Sequence, residues 1–378
     1  MKKAVKILFV CLLLAMGLCL TAGAETIEEL YNEQLEASGG EELLRDLPAE
    51  TRELLDKLGI DSLEMDSLSS LKPQSVWSQM LALFSSQAGS PIRACGVILG
   101  IILLCAWMDG LKETVRNSSS EVFGVICALA ACGTVIVPIV SCIRNVSEAA
   151  GSASIFMTSY VPVYAGVLLT SGQAATAVSY QSVVLFAAEL ISLLATQVVV
   201  PLMTISLALG VTGSVSPGMK LDAAGTLLSK AATWLLGLSC TLFVGLLSLQ
   251  SLAGAAVDTL GGRAVKFTLS SFVPVVGNSL GEAFSTIKSC LHLLKSTLGG
   301  FGILATALIV LPPLLECVAW TLGLSLCVMA SEMFGLTTLT TLLKAAQSVV
   351  KTLIGVLASC AMFLIVSTAI VTMSMPAG

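Results

Sequence analysis

The chain has 378 residues, 56% of them hydrophobic and only 11% charged, with a mean hydropathy of +0.94. Soluble domains carry charge on about a quarter of their residues, so this composition excludes a soluble globular protein and makes lipid the solvent for most of the chain. The net charge of −5 is split: residues 25–90 hold 14 acidic and 4 basic residues, while residues 91–378 hold 10 acidic and 12 basic, and neither part has the basic patch with interleaved aromatics that nucleic-acid binding requires.

Residues 1–24 read as an export signal. Lys2, Lys3 and Lys6 make the positive start, Ile7 to Leu20 the apolar core, and Ala22-Gly23-Ala24 a small-x-small cleavage site. Residues 25–90 then form an acidic, extracytoplasmic region of short helices. Ile27, Leu30, Tyr31 and Leu35 share one helical face. Pro48 starts a second helix and Gly59 stops it. A third, Val76 to Phe84, leads towards the bilayer. With so few large apolar residues this region has a marginal core, which suits either a docking surface for an extracytoplasmic partner or a solvated spacer.

Residues 91–143 carry two transmembrane helices, Pro91–Met108 and Val122–Ile143, joined by a loop holding Lys112 and Arg116. Lys and Arg concentrate in cytoplasmic loops, which puts that loop inside and agrees with an exported N-terminus.

The remainder reads as one membrane unit written twice, residues 144–257 and 258–378. Ser159-Tyr160-Val161-Pro162-Val163 returns 112 residues later as Ser271-Phe272-Val273-Pro274-Val275, and Pro201 is matched by Pro313. Leu227-Leu228-Ser229-Lys230-Ala231-Ala232 is echoed by Leu342-Leu343-Lys344-Ala345-Ala346, and each echo precedes an apolar run with Ser-Cys in it (Ser239-Cys240, Ser359-Cys360). Paired hydrophobic segments interrupted by Pro are a mark of pseudo-symmetric transport folds. Each unit begins with a Pro-containing piece, Ile155–Thr170 or Phe267–Leu280, shorter than the ~20 residues a spanning helix needs. A long run with an internal Pro follows (Val178–Val211; Leu298–Val328), then a basic amphipathic piece (Lys220–Lys230; Lys344–Lys351) and a closing span (Thr233–Ala253; Thr352–Thr372). Read with the basic pieces inside, the units are parallel repeats. The total is six spans plus two re-entrant pieces, or eight spans if the Pro pieces cross. The fold class expected is all-α: a polytopic helical bundle with an internal duplication, preceded by the small helical region.

The candidate pore or packing residues are Pro162, Pro274, Pro201 and Pro313, where a missing backbone donor breaks the helix, together with Glu189 and Glu316. An ionisable group in an apolar run costs at least about 2.5 kcal/mol on insertion scales, so each carboxyl lines a polar path or ties helices together. Tyr160, Tyr164 and Tyr180 are expected as interface anchors. No catalytic, cofactor-binding or metal-ligating constellation is present. There is one histidine, His292, and no phosphate-binding Gly-rich loop, Gly-x-Ser-x-Gly elbow or Cys-x-x-Cys. Of the 12 cysteines, Cys11 and Cys19 fall in the signal and the other ten lie at or after Cys95, in or beside apolar segments, as small hydrophobes do.

These features resemble the stage III sporulation protein AE family of endospore-forming Firmicutes. The resemblance rests on the signal, the acidic region with its Leu-Leu pairs, Ser-Phe-Val-Pro-Val-Val-Gly at 271–277, Leu311-Pro312-Pro313-Leu314, and the segment from Lys344 to Thr372. It implies a multi-pass protein made in the mother cell and placed in the outer forespore membrane. It implies work with a secretion-type ATPase and ring-forming proteins in a channel needed for forespore development, without catalysis or cofactor. An autonomous secondary transporter using the Pro-broken helices and membrane carboxylates is the alternative, and a scaffold that merely anchors the acidic region is a third reading.

Overall fold

The computed structural model describes residues 27–40, 42–60, 73–111, 119–215, 221–272 and 277–373. The export signal, the Lys112–Arg116 loop, Lys220 and Pro274 lie outside the described residues. Among those described there is helix and turn and no strand.

Three short helices come first: α1 (Ile27–Ala37), α2 (Glu42–Arg45) and α3 (Ala49–Leu58). Their apolar faces do not build a core of their own. Tyr31, Leu35, Leu43, Leu47, Leu54, Leu55 and Ile60 are buried in the same continuous core as the long helices, because α1 packs on α9, α2 on α5, and α3 on α9 and α4 (ranges below). Arg52 fixes the turn between α2 and α3. Its guanidinium donates to the carbonyls of Leu44 (3.1 Å) and Arg45 (2.6 Å), the open C-terminal end of α2. The described part of the acidic region is thus a helical cap seated on the bundle, and the marginal core expected for an independent domain is completed by its neighbours.

The long helices are α4 (Pro73–Leu111), α5 (Ser119–Thr170), α6 (Ala174–Leu193) running through a π-helical turn (Leu194–Val199) into α7 (Val200–Val215), α8 (Leu221–Phe272), α9 (Gly277–Met333) and α10 (Thr337–Met373). Six stretches within them are long and apolar enough to cross a membrane: Trp77–Met108, Leu129–Thr170, Ala174–Ser214, Ala223–Leu260, Ser289–Met333 and Thr337–Thr372. The protein is therefore a multi-pass membrane protein. α9 is the most enclosed of the six and α8 the least. α9 packs against α10, α4 and α5, and α8 against α10, α6 and α7.

Two expectations about segmentation are corrected. Val122–Ile143 and Ile155–Thr170 are not separate pieces, because both lie in α5, which runs unbroken through Pro138 and Pro162. A proline removes one N–H and crowds the carbonyl four residues back, but neighbouring packing carries a helix through that defect, and the Pro162 ring points outward. In the same way Lys220–Lys230 and Thr233–Ala253 become one helix from Leu221 on, and Lys344–Lys351 and Thr352–Thr372 are one helix, α10. Pro201 is accommodated differently. The turn before it opens to π geometry at Leu194–Val199, a usual way of relieving a defect in the i to i−4 ladder.

Helix lengths then carry a consequence. At a rise of ~1.5 Å per residue, the 52 residues of α5 span about 78 Å against a hydrocarbon core of ~30 Å. The bundle projects beyond one bilayer. Polar residues midway along α5, exposed Arg144 and Glu148 among them, are continuous with its helix rather than a loop.

Candidate functional site

Polar side chains inside such a bundle must find partners, because the surrounding hydrocarbon offers none. Three interior groupings do so, and each joins helices distant in sequence.

The first surrounds the tip between α5 and α6. Gly172 ends α5 at φ +78, a backbone conformation that only glycine adopts without cost. The amides of Gly172 and Gln173 return to the carbonyls of Leu169 (3.0 Å) and Leu168 (2.9 Å), a Schellman ending. Gln173 stands at the N-cap of α6 without a side-chain capping bond. The cap comes from another helix instead. Asp258 of α8 accepts from the Ala175 amide (2.9 Å), the Thr176 amide (3.0 Å) and the Thr176 hydroxyl (2.7 Å). A carboxylate at a helix N-terminus satisfies open donors and meets the positive end of the dipole. Gly254 permits the approach, since a Cβ there would lie 3.0 Å from the Thr176 backbone. Gln173 Oε1 is left to accept Lys295 Nζ at 3.0 Å, and Lys295, at 1% exposure, is a buried cation of α9.

The second is a ladder of rings. Phe156, Tyr160 and Tyr164 recur every four residues on one face of α5 and stack at 5.5 and 5.6 Å, and Tyr180 of α6 meets Tyr164 edge-on at 5.4 Å. Tyr160 donates to the Leu298 carbonyl (3.1 Å), and the hydroxyls of Tyr164 and Thr372 are 2.8 Å apart. Gly302 makes the room, since a Cβ on it would collide with the Tyr160 ring. The three tyrosines are therefore not interface anchors. All are buried to 1% exposure or less: Tyr160 and Tyr164 share the face of α5 that meets α9 and α10, and Tyr180 of α6 closes on Tyr164.

The third lies between α5 and α9. Asn145 Nδ2 donates to Glu316 Oε2 at 2.8 Å, and next to it the sulfurs of Cys142 and Cys317 are 3.2 Å apart. Glu316 follows the buried Pro312 and half-buried Pro313 by one turn of α9. A charged acceptor bonded to an amide across two helices is a strong tie in low dielectric.

Of the residues marked in sequence, Glu316 enters an interior grouping. Glu189 is exposed on α6, as are Pro162 on α5 and Pro201 on α7, so the two carboxyls do not meet. Asp258, Lys295, Gln173 and Asn145 escaped notice. Asp258 carried a usable signal, a lone acid after Ala255-Ala256-Val257, whereas the burial of Lys295 depends on neighbours that local pattern does not specify. Near the tip between α9 and α10 a half-exposed ion pair, Glu332–Lys344 at 2.6 Å, spans the two helices. Among the described residues, no three His, Cys, Asp or Glu side chains gather to hold a metal ion. What these groupings do chemically is hold helices together, through the hydrogen bonds of Asp258, Lys295, Tyr160, Tyr164 and Asn145 to other helices. Tyr180 adds a ring contact with Tyr164, while the Tyr180 hydroxyl is buried without a hydrogen bond.

A family model described as stage III sporulation protein AE matches residues 60–374, which takes in all six apolar stretches. A curated protein of that name from Bacillus subtilis (strain 168) is 28% identical over 288 residues, covering 74% of this chain and 72% of the relative. No solved structure matches.

Proposed function

Since the chain belongs to the stage III sporulation protein AE family, we propose that it is a non-enzymatic, multi-pass membrane component of a sporulation-specific transport or secretion channel complex linking mother cell and forespore, needed for forespore development. The observation that carries this reading is the family match across residues 60–374. The interior supports it: Asp258, Lys295 and Asn145 with Glu316 each tie one helix to another, and the sequence holds no nucleotide-binding loop to drive transport. Energy and the rest of the conduit then come from partners, a secretion-type ATPase and ring-forming proteins. In this reading the protein sits in the outer forespore membrane. After a signal at 1–24, the acidic region of 25–90 faces the intermembrane space, 91–143 form the entry hairpin, and 144–257 and 258–378 are the two repeat units. A contact between the units favours the duplication: the echoed Ser-Cys pairs meet, with Cys240 Sγ 4.0 Å from the Ser359 carbonyl. Within this arrangement Pro201 and Pro313 are equivalent breaks, Pro162 and Pro274 mark the start of each unit, and Glu316 ties while Glu189 faces outward towards lipid or a partner.

The test is isolation of the tagged chain from sporulating cells. Co-purification with a secretion-type ATPase and ring-forming proteins is the expected result, and a chain recovered alone at full abundance contradicts the complex. An autonomous transporter is the second reading, favoured by the buried Lys295 and the half-buried Glu316 within apolar helices. Purified chain in liposomes that moves a solute down an ion gradient without partners would establish it.

A further inference from the structure

The nine cysteines whose side chains are described are all buried. Cys240 aims its sulfur at the Ser359 carbonyl (4.0 Å), a small hydrophobe with a weak donor satisfied, while Cys327 aims at the Cys95 carbonyl (3.7 Å) and also meets the Cys95 sulfur. Cys142 and Cys317 aim at each other, 3.2 Å apart, across the contact of α5 with α9. A disulfide needs a sulfur separation of about 2.04 Å, so closing this pair takes side-chain movement of about 1.2 Å.

Their position gives the bond a consequence. Pro312 and Pro313 lie inside α9, which continues through them from Gly277 to Met333, and they leave the carbonyls of Leu308 and Ile309 without their helical donors, so the helix is weakest here. Cys317 is one turn beyond, and the neighbouring tie across the same contact is the Asn145–Glu316 hydrogen bond. We propose that Cys142 and Cys317 form a reversible disulfide that latches α5 to α9 beside the Pro312–Pro313 break. The thiolate of one attacks an acceptor disulfide and forms a mixed disulfide, and the second sulfur then displaces the acceptor. Two S–H bonds are lost and one S–S bond is formed, and two electrons and two protons leave with the acceptor, which departs as two thiols. In the linked state α9 cannot pivot at its prolines. In the reduced state the Asn145–Glu316 bond and the non-covalent contact of the two thiols bridge the helices at this level.

The test uses the full chain in its own membranes with 2,2′-dipyridyl disulfide, a small apolar acceptor. The sample is quenched in acid, alkylated with N-ethylmaleimide, digested and mapped by mass spectrometry. The expected product is a Cys142–Cys317 linked peptide as the main form of both residues. It reverts with dithiothreitol and is absent from Cys142→Ala, and Cys240 does not join it. Amide exchange over residues 306–316 slows on linkage. Recovery of Cys142 and Cys317 as unlinked adducts from the wild-type chain overturns the latch, as does linkage that leaves that exchange unchanged.

Discussion

At Gly302 a single hydrogen in place of a side chain decides whether Tyr160 reaches its place against α9. Gly302→Val drives two methyl groups into that ring, and overpacking of this kind costs about 1–3 kcal/mol or displaces the partner. The expected outcome is a lower thermal midpoint in detergent, with Tyr160→Leu partly restoring it in the double variant. Asp258 gives a second residue-scale prediction. Asp258→Ala strands the amides of half-buried Ala175 and buried Thr176, and an unmet buried donor costs about 1–3 kcal/mol. Asp258→Asn keeps an acceptor and loses less. The thermal midpoints should rank wild type, Asn, Ala, and a midpoint for Asp258→Ala equal to wild type would remove the cap from the account. Lys295 tests the cost of a buried charge in the other direction. Lys295→Met keeps the stem and discards the cation, a change that is often neutral or stabilising where a buried ion is poorly matched, so accumulation and midpoint should hold or rise.

Among the elements, α5 and the α6–α7 run answer the same sequence feature in two ways. α5 carries Pro162 without interruption, so Pro162→Ala should leave the protein as stable or more so, Ala being the better helix former. Pro201 is preceded by a π-helical turn, and Pro201→Ala should let Leu194–Val199 return to α geometry, shifting the register of Glu189 against Pro201 by part of a turn. Cysteine cross-linking between α6 and α8 reads that shift, and an unchanged cross-linking pattern would dissociate the π turn from the proline.

The apolar runs made the six spans legible in sequence, because a run of twenty apolar residues has few alternatives. Segment joins were not legible. Arg144, Asn145 and Glu148 look like a loop between two short spans, yet α5 continues through them as helix, with Asn145 bonded to Glu316 of α9. Glu316 was visible as a carboxyl in an apolar run, but Asn145 as its partner was not, since that pairing is 171 residues long in sequence and depends on how α5 and α9 are packed. The tyrosines show the same limit: in sequence Tyr160, Tyr164 and Tyr180 read as interface anchors, and only the packing of the helices around them shows that they turn inward.

For the whole molecule, six crossings put the acidic region and the C-terminus on the same side of the membrane. Residues 112–118, 216–220 and 334–336 then share one side, and 171–173 and 261–288 the other. Single-cysteine labelling with an impermeant maleimide should divide those segments in that way. Eight crossings, with Phe267–Leu280 crossing as well, would separate 261–266 from 281–288, a pattern that contradicts the reading. The measurement closest to the central claim is forespore development in a spore-forming host that lacks this gene, complemented with wild type or with Glu189→Ala/Glu316→Ala at equal abundance. The account predicts arrest with collapsed forespores after engulfment in the deletion and full rescue by wild type. It also predicts weaker rescue by the double variant, because the Asn145–Glu316 tie is lost. Normal sporulation in the deletion strain would contradict it.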